Sequence, residues 1–214
     1  MACPTAMRNE LLGNTVAKNL EKRGFEAVYV ATAAEAKEKA LSYIRKDDVI
    51  SWGGCRSAED CGLIDELRGG AYPNIIDRDT AKTPEEKTEL SRKAFFADVY
   101  IGGANAISED GQIVNIDGNG NRVAAMTWGP TNVIVIASVD KIAKTVEDAV
   151  ARARMVAAPI NMQRFGKDTP CTKTGTCMNC MSPDSICNVF QIIRRCNSRQ
   201  GRIKVILVGE KLGF

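Results

Sequence analysis

Histidine is absent from the 214-residue chain, and aromatic residues make up only 6% of it. The absence of histidine excludes Ser-His-Asp and Cys-His nucleophile pairs, imidazole acid–base steps and histidine-containing zinc sites. The net charge of +3 is spread along the chain, so the sequence offers neither a basic stripe nor an aromatic stacking platform for nucleic acid. We therefore expect no nucleic-acid partner, and any chemistry must come from carboxylates, lysine, arginine, tyrosine or thiols.

Long apolar runs are also missing. No stretch approaches the length of a membrane span, and residues 1–14 lack the charged and apolar regions of a signal peptide. We expect a cytoplasmic protein with no membrane insertion. Hydrophobic residues at 44% and charged residues at 26% are ordinary for a globular protein, and the length suits one α/β domain over residues 1–214 with a small appendage.

Strand and helix patterns alternate along the chain. Helical spacing of apolar residues predicts helices over residues 8–24, 33–46 and 140–156, and Pro159 and Gly166 are expected to end regular structure. Apolar or alternating runs predict strands over residues 26–32, 49–52, 98–103, 132–138 and 203–208. This order indicates an α/β fold with a mostly parallel open sheet flanked by helices.

Glycine, asparagine and acidic residues crowd into residues 102–130, between two of the apolar runs. An Asp-Gly pair after Glu109 predicts a β-hairpin. Residues 117–122 (DGNGNR) predict a turn-rich backbone with several positive φ angles, whose amides would be free to face an anion beside Arg122. The alternative is a hairpin followed by a flexible loop with a solvated arginine. The ligand-binding candidates in this segment are Asn105, Asp117, Gly118, Asn121 and Arg122.

A second candidate anion site follows the strand at residues 49–52. Gly53 and Gly54 form a turn that opens onto a helix, for which Ser57 is the expected N-cap with Asp60. Cys55 near this helix start is expected to have a lowered thiol pKa and joins the ligand-binding candidates. The alternative is that the glycines only make a tight turn. Residues 77–79 (DRD) follow another strand and either line the same crevice or form a solvated loop.

Four cysteines within residues 167–200 have the spacing Cys-x5-Cys-x2-Cys-x6-Cys. In a reducing compartment such clustering favours a metal over disulfides, and all-sulfur ligation suits zinc or an iron–sulfur cluster. Free or disulfide-linked thiols are the alternative. We expect an insertion between the last helix and the last strand, ordered by the metal, with nearby cations offsetting the thiolate charge. The predicted ligands are Cys171, Cys177, Cys180 and Cys187, and the cations are Lys173, Arg194 and Arg195.

Several long segments together resemble the LUD (lactate-utilisation) domain family, in its small stand-alone members with a C-terminal cysteine motif. The segments are VISWGG (49–54), IIDRD (75–79), TPEEK (83–87), ADVYIGGANAISEDGQIVNIDGNGNRVAAM (97–126), WGPTNVIVI (128–136), AAPINMQRFG (157–166) and TPCTKTGTCMNCMSPDSICN (169–188). The resemblance implies a NagB/RpiA/CoA-transferase-like fold. Where such members commonly have serine after Gly-Gly, this chain has Cys55.

The resemblance also implies a function. Some family members act in a multi-protein system that oxidises lactate to pyruvate, so we expect a redox accessory protein that binds a small anionic ligand and a [4Fe–4S] cluster or zinc. Other lactate-oxidation subunits are the implied partners, and a homodimer is compatible with the sequence. One alternative is an acyl/CoA-transferase-like enzyme in which the Glu109 carboxylate is the nucleophile. Another is a non-catalytic scaffold subunit.

Overall fold

Two β-sheets and their surrounding helices make up the fold. A computed structural model of the chain describes residues 3–196 and 199–214. The strands in these residues are β1 (Glu26–Val30), β2 (Ile50–Trp52), β3 (Ile75–Ile76), β4 (Val99–Gly103), β5 (Ala106–Ser108), β6 (Ile113–Asp117), β7 (Asn132–Ser138), β8 (Ile142–Ala143), β9 (Val189–Ile193) and β10 (Ile203–Val208). The α-helices are α1 (Pro4–Lys22), α2 (Ala33–Leu41), α3 (Arg56–Asp60), α4 (Leu63–Glu66), α5 (Pro84–Lys93), α6 (Asn121–Thr127), α7 (Val146–Arg152), α8 (Ala158–Phe165) and α9 (Pro170–Thr174).

The larger sheet has six strands in the order β1-β10-β7-β4-β2-β3, and every neighbouring pair is parallel. The apolar β7 and the mostly apolar β10, in which Lys204 is the one charged residue, lie inside the sheet, where helices cover both faces. This arrangement confirms the predicted α/β fold with a mostly parallel sheet flanked by helices.

The two faces of this sheet bury two separate cores. Val133 and Val135 of β7 point into a core shared with α1 and α6, whereas Ile134 and Ile136 point into a core shared with α2, α3 and α4. Alternate residues of a strand face opposite sides, so one apolar run supplies both cores. Among the described residues, no helix is long and apolar enough to cross a membrane.

The smaller sheet has four strands in the order β8-β5-β6-β9. β5 and β6 pair antiparallel and confirm the predicted hairpin. β9 pairs antiparallel with β6 over five residues, from Ile113↔Ile193 to Asp117↔Val189. The sequence did not predict β9, which lies within the cysteine-rich insertion and attaches it to the main body.

The prediction that regular structure ends near Pro159 is wrong. Residues 146–165 are helical throughout, with a π-helical turn at Ala153–Ala157 between α7 and α8. The hydrogen-bond register changes at a π-helical turn, and this change accommodates a proline that has no N–H to donate. Gly166 ends α8 in the left-handed conformation (φ 60°), as expected.

Candidate functional site

A cleft lies where β2, β4 and β6 end, on the carboxyl side of the parallel strands. Its outer part has a volume of about 290 Å³, and an inner chamber of about 50 Å³ adjoins it. Both parts are lined by Gly54, Arg122, Asn161 and Arg164, so they lie directly side by side, and we describe them together as the cleft. Open α/β sheets bind ligands at this edge.

The structure brings the predicted ligand-binding residues together. The outer part of the cleft is lined by Gly54, Asp117, Gly118, Asn121 and Arg122, and the inner chamber by Gly54, Cys55, Asn105 and Arg122. Gly53 lies behind the cleft wall, where an added Cβ would come within 2.6 Å of the Tyr100 hydroxyl and 2.8 Å of Arg122 Cγ. Burial raises the pKa of Tyr100 to about 12, so its hydroxyl stays protonated at neutral pH.

Arg122 is not the solvated arginine of the alternative interpretation; it lines the cleft, and its guanidinium is bonded within the protein. Its side chain is buried, and its guanidinium is surrounded by acceptors from β4, from β6 and from the connection between β4 and β5. Nη1 donates to Asn115 Oδ1 (2.6 Å) and Gly103 O (3.3 Å), and Nη2 donates to Ile116 O (2.8 Å) and Asn105 Oδ1 (3.5 Å). Nε lies 3.3 Å from Asp117 Oδ2. Arg122 thus holds the ends of these strands in place.

Two of the amides in residues 117–122, which the sequence predicted to be free, are bonded within the turn. Asp117 Oδ1 accepts hydrogen bonds from the amides of Asn119 (3.1 Å) and Gly120 (2.8 Å). Gly120 is the residue of this segment with a positive φ, 80°, and α6 begins directly after it. The Asp117 side chain therefore closes the turn, a role that asparagine and aspartate commonly have in turns.

Arg78 is a cation of the outer cleft whose Nε, unlike that of Arg122, is left without a close partner in the described part of the chain. Its Nε is buried and has no hydrogen-bond partner among the described residues, and Asp79 Oδ1 lies 3.9 Å away. Gly54 lies beside the Arg78 guanidinium: a Cβ added to Gly54 would be 3.6 Å from Arg78 Nη2. A buried unpaired donor is costly unless a ligand satisfies it.

The charged side chains that line the cleft are mostly cationic, although several of them pair with carboxylates just outside it. Asp117 is the acidic residue that lines it, and its carboxylate is paired with Arg122. The cationic lining residues are Arg56, Arg78, Arg122, Lys141, Arg164 and Lys167. A cleft lined in this way favours a small anion.

The inner chamber contains a buried amine and a buried hydroxyl. Lys141 Nζ donates to Ser57 Oγ at 2.9 Å, and both side chains are at most 3% exposed. Ser57 lies within α3 rather than at its N-cap, so the capping prediction is wrong; the N-cap is Cys55. The expected lowering of the Cys55 pKa is wrong as well, since burial raises the pKa of this thiol to about 11. Cys61 is buried in the core.

Glu109 lies away from the cleft. It occupies the turn of the β5–β6 hairpin, at the other end from Asn105 and Asp117, and its carboxylate contacts Lys144 Nζ at 2.5 Å. Its backbone carbonyl accepts a hydrogen bond from Asn19 of α1. This placement does not support the nucleophilic role that the sequence suggested.

A second cavity, of about 170 Å³, is lined by all four predicted metal ligands. Cys171 comes from α9, and the remaining three cysteines come from the segment between α9 and β9. The cavity is otherwise largely apolar, with Pro159, Met162, Ile186 and Phe190, and no carboxylate lines it. Among residues 3–196 and 199–214, no group of three or more His, Cys, Asp or Glu side chains is already arranged to hold a single metal ion.

Arg154 and Asn179 organise the cysteine loop. Asn179 has φ 50°, a left-handed conformation that asparagine tolerates better than most residues, and it lies between Cys177 and Cys180. Arg154 Nη2 donates to Asn179 Oδ1 at 2.6 Å and lies 3.7 Å from Cys177 Sγ. The cation beside the thiols is therefore Arg154, and Lys173 instead pairs with Asp168 at 2.8 Å.

The cleft and the cysteine cavity share a wall. Ser185 and Ile186 line both of them. Asn188 Nδ2 donates to Gly118 O at 2.9 Å, which ties the cysteine segment to the loop after β6. The two predicted sites are thus adjacent.

Several cleft residues were missed by sequence reasoning. Asn161 and Arg164 share one face of α8, a helical spacing hidden by the expectation of irregular structure after residue 156. Lys141 lies three residues after the end of β7. A polar residue just after a parallel strand often lines a ligand cleft, so this position could have been predicted from the sequence. Nothing in the sequence around Lys167 indicates that this residue lines the cleft.

A family model described as the LUD domain matches residues 14–208. No curated protein matches the chain. Among solved structures, the chain is similar to a DUF162 family protein from Deinococcus radiodurans, with a TM-score of 0.55, 13% sequence identity, and coverage of 94% of this chain and 98% of the other. At this identity the likeness shows the fold.

Weaker structural matches carry no argument about function. Ribose 5-phosphate isomerase from Plasmodium falciparum matches with a TM-score of 0.34 and 17% identity, over 52% of each chain. A 5-methylthioribose 1-phosphate isomerase from Pyrococcus horikoshii matches with a TM-score of 0.32 and 15% identity, over 87% of this chain and 51% of the other.

Proposed function

Since the chain belongs to the LUD domain family, we propose that it is a redox accessory protein in the use of lactate or another 2-hydroxy acid. It binds a small carboxylate anion in the cleft and a [4Fe–4S] cluster at Cys171, Cys177, Cys180 and Cys187. The observation that carries this proposal is the wall that the cationic cleft and the cysteine cavity share at Ser185 and Ile186. A cluster in that cavity would be separated from the bound anion only by this wall, so electrons could pass between the two.

Four thiolates suit either zinc or an iron–sulfur cluster, and we base the choice of a cluster on the size of the cavity. Tetrahedral zinc with Zn–S distances of about 2.3 Å holds its sulfurs only about 3.8 Å apart and needs little space between them. A four-iron cluster occupies more space between its thiolates, and the cavity offers about 170 Å³ lined by four thiols and apolar side chains. Arg154 beside Cys177 supplies a donor to a thiolate sulfur, a contact that commonly tunes such groups.

Metal analysis tests the cluster directly. We expect protein purified without oxygen to contain iron and acid-labile sulfide in near-stoichiometric amounts, with a brown chromophore that dithionite bleaches. Cys177→Ser should lose most of the iron and the chromophore because it removes one of four thiolates. Cys3→Ser, which changes an exposed cysteine outside the cavity, should keep both. Zinc without sulfide in the wild-type protein would contradict the cluster and leave the cysteines a structural role.

Arg78→Met tests the anion cleft. A charge-assisted hydrogen bond contributes about 1.5–3 kcal/mol, so the substitution should weaken the binding of L-lactate or pyruvate by roughly ten- to a hundredfold. Calorimetric titration measures the affinity. Arg8→Met is the matched control, because Arg8 is exposed on α1 and does not line the cleft. Equal affinities of wild type and Arg78→Met for both acids would refute a ligand contact at this arginine.

A further inference from the structure

Lys141 places a buried amine against the inner chamber of the cleft. Its side chain is 3% exposed and lines the inner chamber, and its amine donates to one neutral group, the Ser57 hydroxyl. A lysine buried as an ammonium ion needs a counter-charge, and without one it loses its proton instead. The surroundings of the amine therefore decide its chemistry.

The carboxylates around Lys141 are committed to other cations. Asp140 pairs with Arg152 (3.5 Å) and accepts from Ser138, and Asp60 pairs with Arg56 (2.6 Å) and accepts from the Gly213 amide. Cys55 also faces the amine, and its raised pKa keeps it a neutral thiol at physiological pH. Arg152 is a like charge nearby.

These contacts leave the amine easy to deprotonate. Burial is the main cause that lowers the pKa of Lys141; Cys55, when ionised, is the largest opposing influence, the charge of Arg152 lowers the pKa further, and Asp140 and Asp60 raise it. Desolvation beside another cation is how proteins turn lysine into an amine nucleophile for carbonyl compounds.

The space in front of the amine suits a small acid. A chamber of about 50 Å³ holds roughly three to five water-sized groups, since one water requires about 10–15 Å³. Arg164 lines both the chamber and the outer cleft, so the anionic end of a ligand would face its guanidinium while the other end reaches Lys141. A carboxylate next to a carbonyl group has both features.

We propose that Lys141 forms an imine with the carbonyl carbon of a small 2-oxo acid. The Nζ lone pair forms the C–N bond, the carbonyl oxygen takes up protons, and it leaves as water when the C=N bond forms. Ser57 Oγ, 2.9 Å from Nζ, is placed to carry a proton between the amine and the departing oxygen. The inference rests on the proposed function, because 2-oxo acids are the oxidation products of 2-hydroxy acids.

Borohydride trapping tests the imine. The full chain is incubated with pyruvate and sodium borohydride, and the product is analysed by intact mass and peptide mapping. We expect one reduced adduct per chain, at Lys141, formed at pH values below the usual titration range of lysine. L-lactate, which has no carbonyl group to condense, should give none. An adduct that is absent, or that is spread over exposed lysines, would overturn the inference.

Two variants sharpen the assignment. Lys141→Arg should lose the adduct, and Lys144→Arg should keep it, because Lys144 is exposed and pairs with Glu109 outside the cleft. If Lys141→Arg does not fold, the peptide map of the wild-type protein still identifies the modified lysine. Pyruvate that binds in calorimetry but gives no adduct removes the imine and leaves the anion cleft standing. If neither lactate nor pyruvate binds at all, both the imine and the proposed function are refuted.

Discussion

Arg122→Met is expected to lower the free energy of unfolding by about 3–5 kcal/mol, the usual cost of removing one partner of a buried ion pair. Its guanidinium contacts the Asp117 carboxylate and donates to Gly103, Asn115 and Ile116, so the substitution leaves a buried carboxylate and several buried oxygens without a donor. Methionine fills a similar apolar volume, which limits the effect to the lost polar contacts. Urea denaturation followed by circular dichroism measures the change.

Arg92→Met is the control for this stability loss. Arg92 is exposed on α5, and such a surface substitution should change stability by no more than about 0.5 kcal/mol. An Arg122→Met protein as stable as the control would mean that the hydrogen bonds around Arg122 contribute little. Because the expected loss is large, weakened ligand binding in Arg122 variants cannot be attributed to a direct contact, and Arg78 is the better position for testing the cleft.

Gly111→Ala is expected to destabilise the protein by about 2–6 kcal/mol. Gly111 has φ 90° in the β5–β6 turn, where an L side chain is strained by about 1–3 kcal/mol. An added Cβ would also lie 2.8 Å from the amide nitrogen of Leu20 and 2.9 Å from the carbonyl carbon of Asn19, and overpacking costs about 1–3 kcal/mol. The obstacle is the backbone of α1, which no side-chain rotation can move away. Thermal and urea unfolding report the effect.

Gly62→Ala separates the two causes. Gly62 also has a positive φ, 74°, but no other described atom lies within 4 Å of an added Cβ. It should therefore show the backbone strain alone, about 1–3 kcal/mol. Equal losses for the two variants would show that the hairpin turn does not press against α1.

Much of the fold could be predicted from local pattern. The runs of β7 and β10 are apolar on both faces, and only a strand covered by helices on both sides tolerates that composition. The prediction that Pro159 ends the helix failed because a π-helical turn directly before Pro159 lets the helix continue. The composition of that turn does not reveal it. β9 was missed because a five-residue strand in a polar segment is visible only beside its partner β6.

The sequence by itself determined the family, the parallel sheet, the position of the cleft residues at strand ends, and the four cysteines that line one cavity. Only the tertiary structure decided which charges are available there. The guanidinium of Arg122 is bonded to acceptors from β4 and β6, the Nε of Arg78 has no hydrogen-bond partner among the described residues, and Lys141 is buried beside Ser57 of α3. The physical reason is that pairing and desolvation depend on groups far apart in the chain. Residue type and spacing therefore identify which side chains could act, whereas packing sets which donors and amines are left for a ligand.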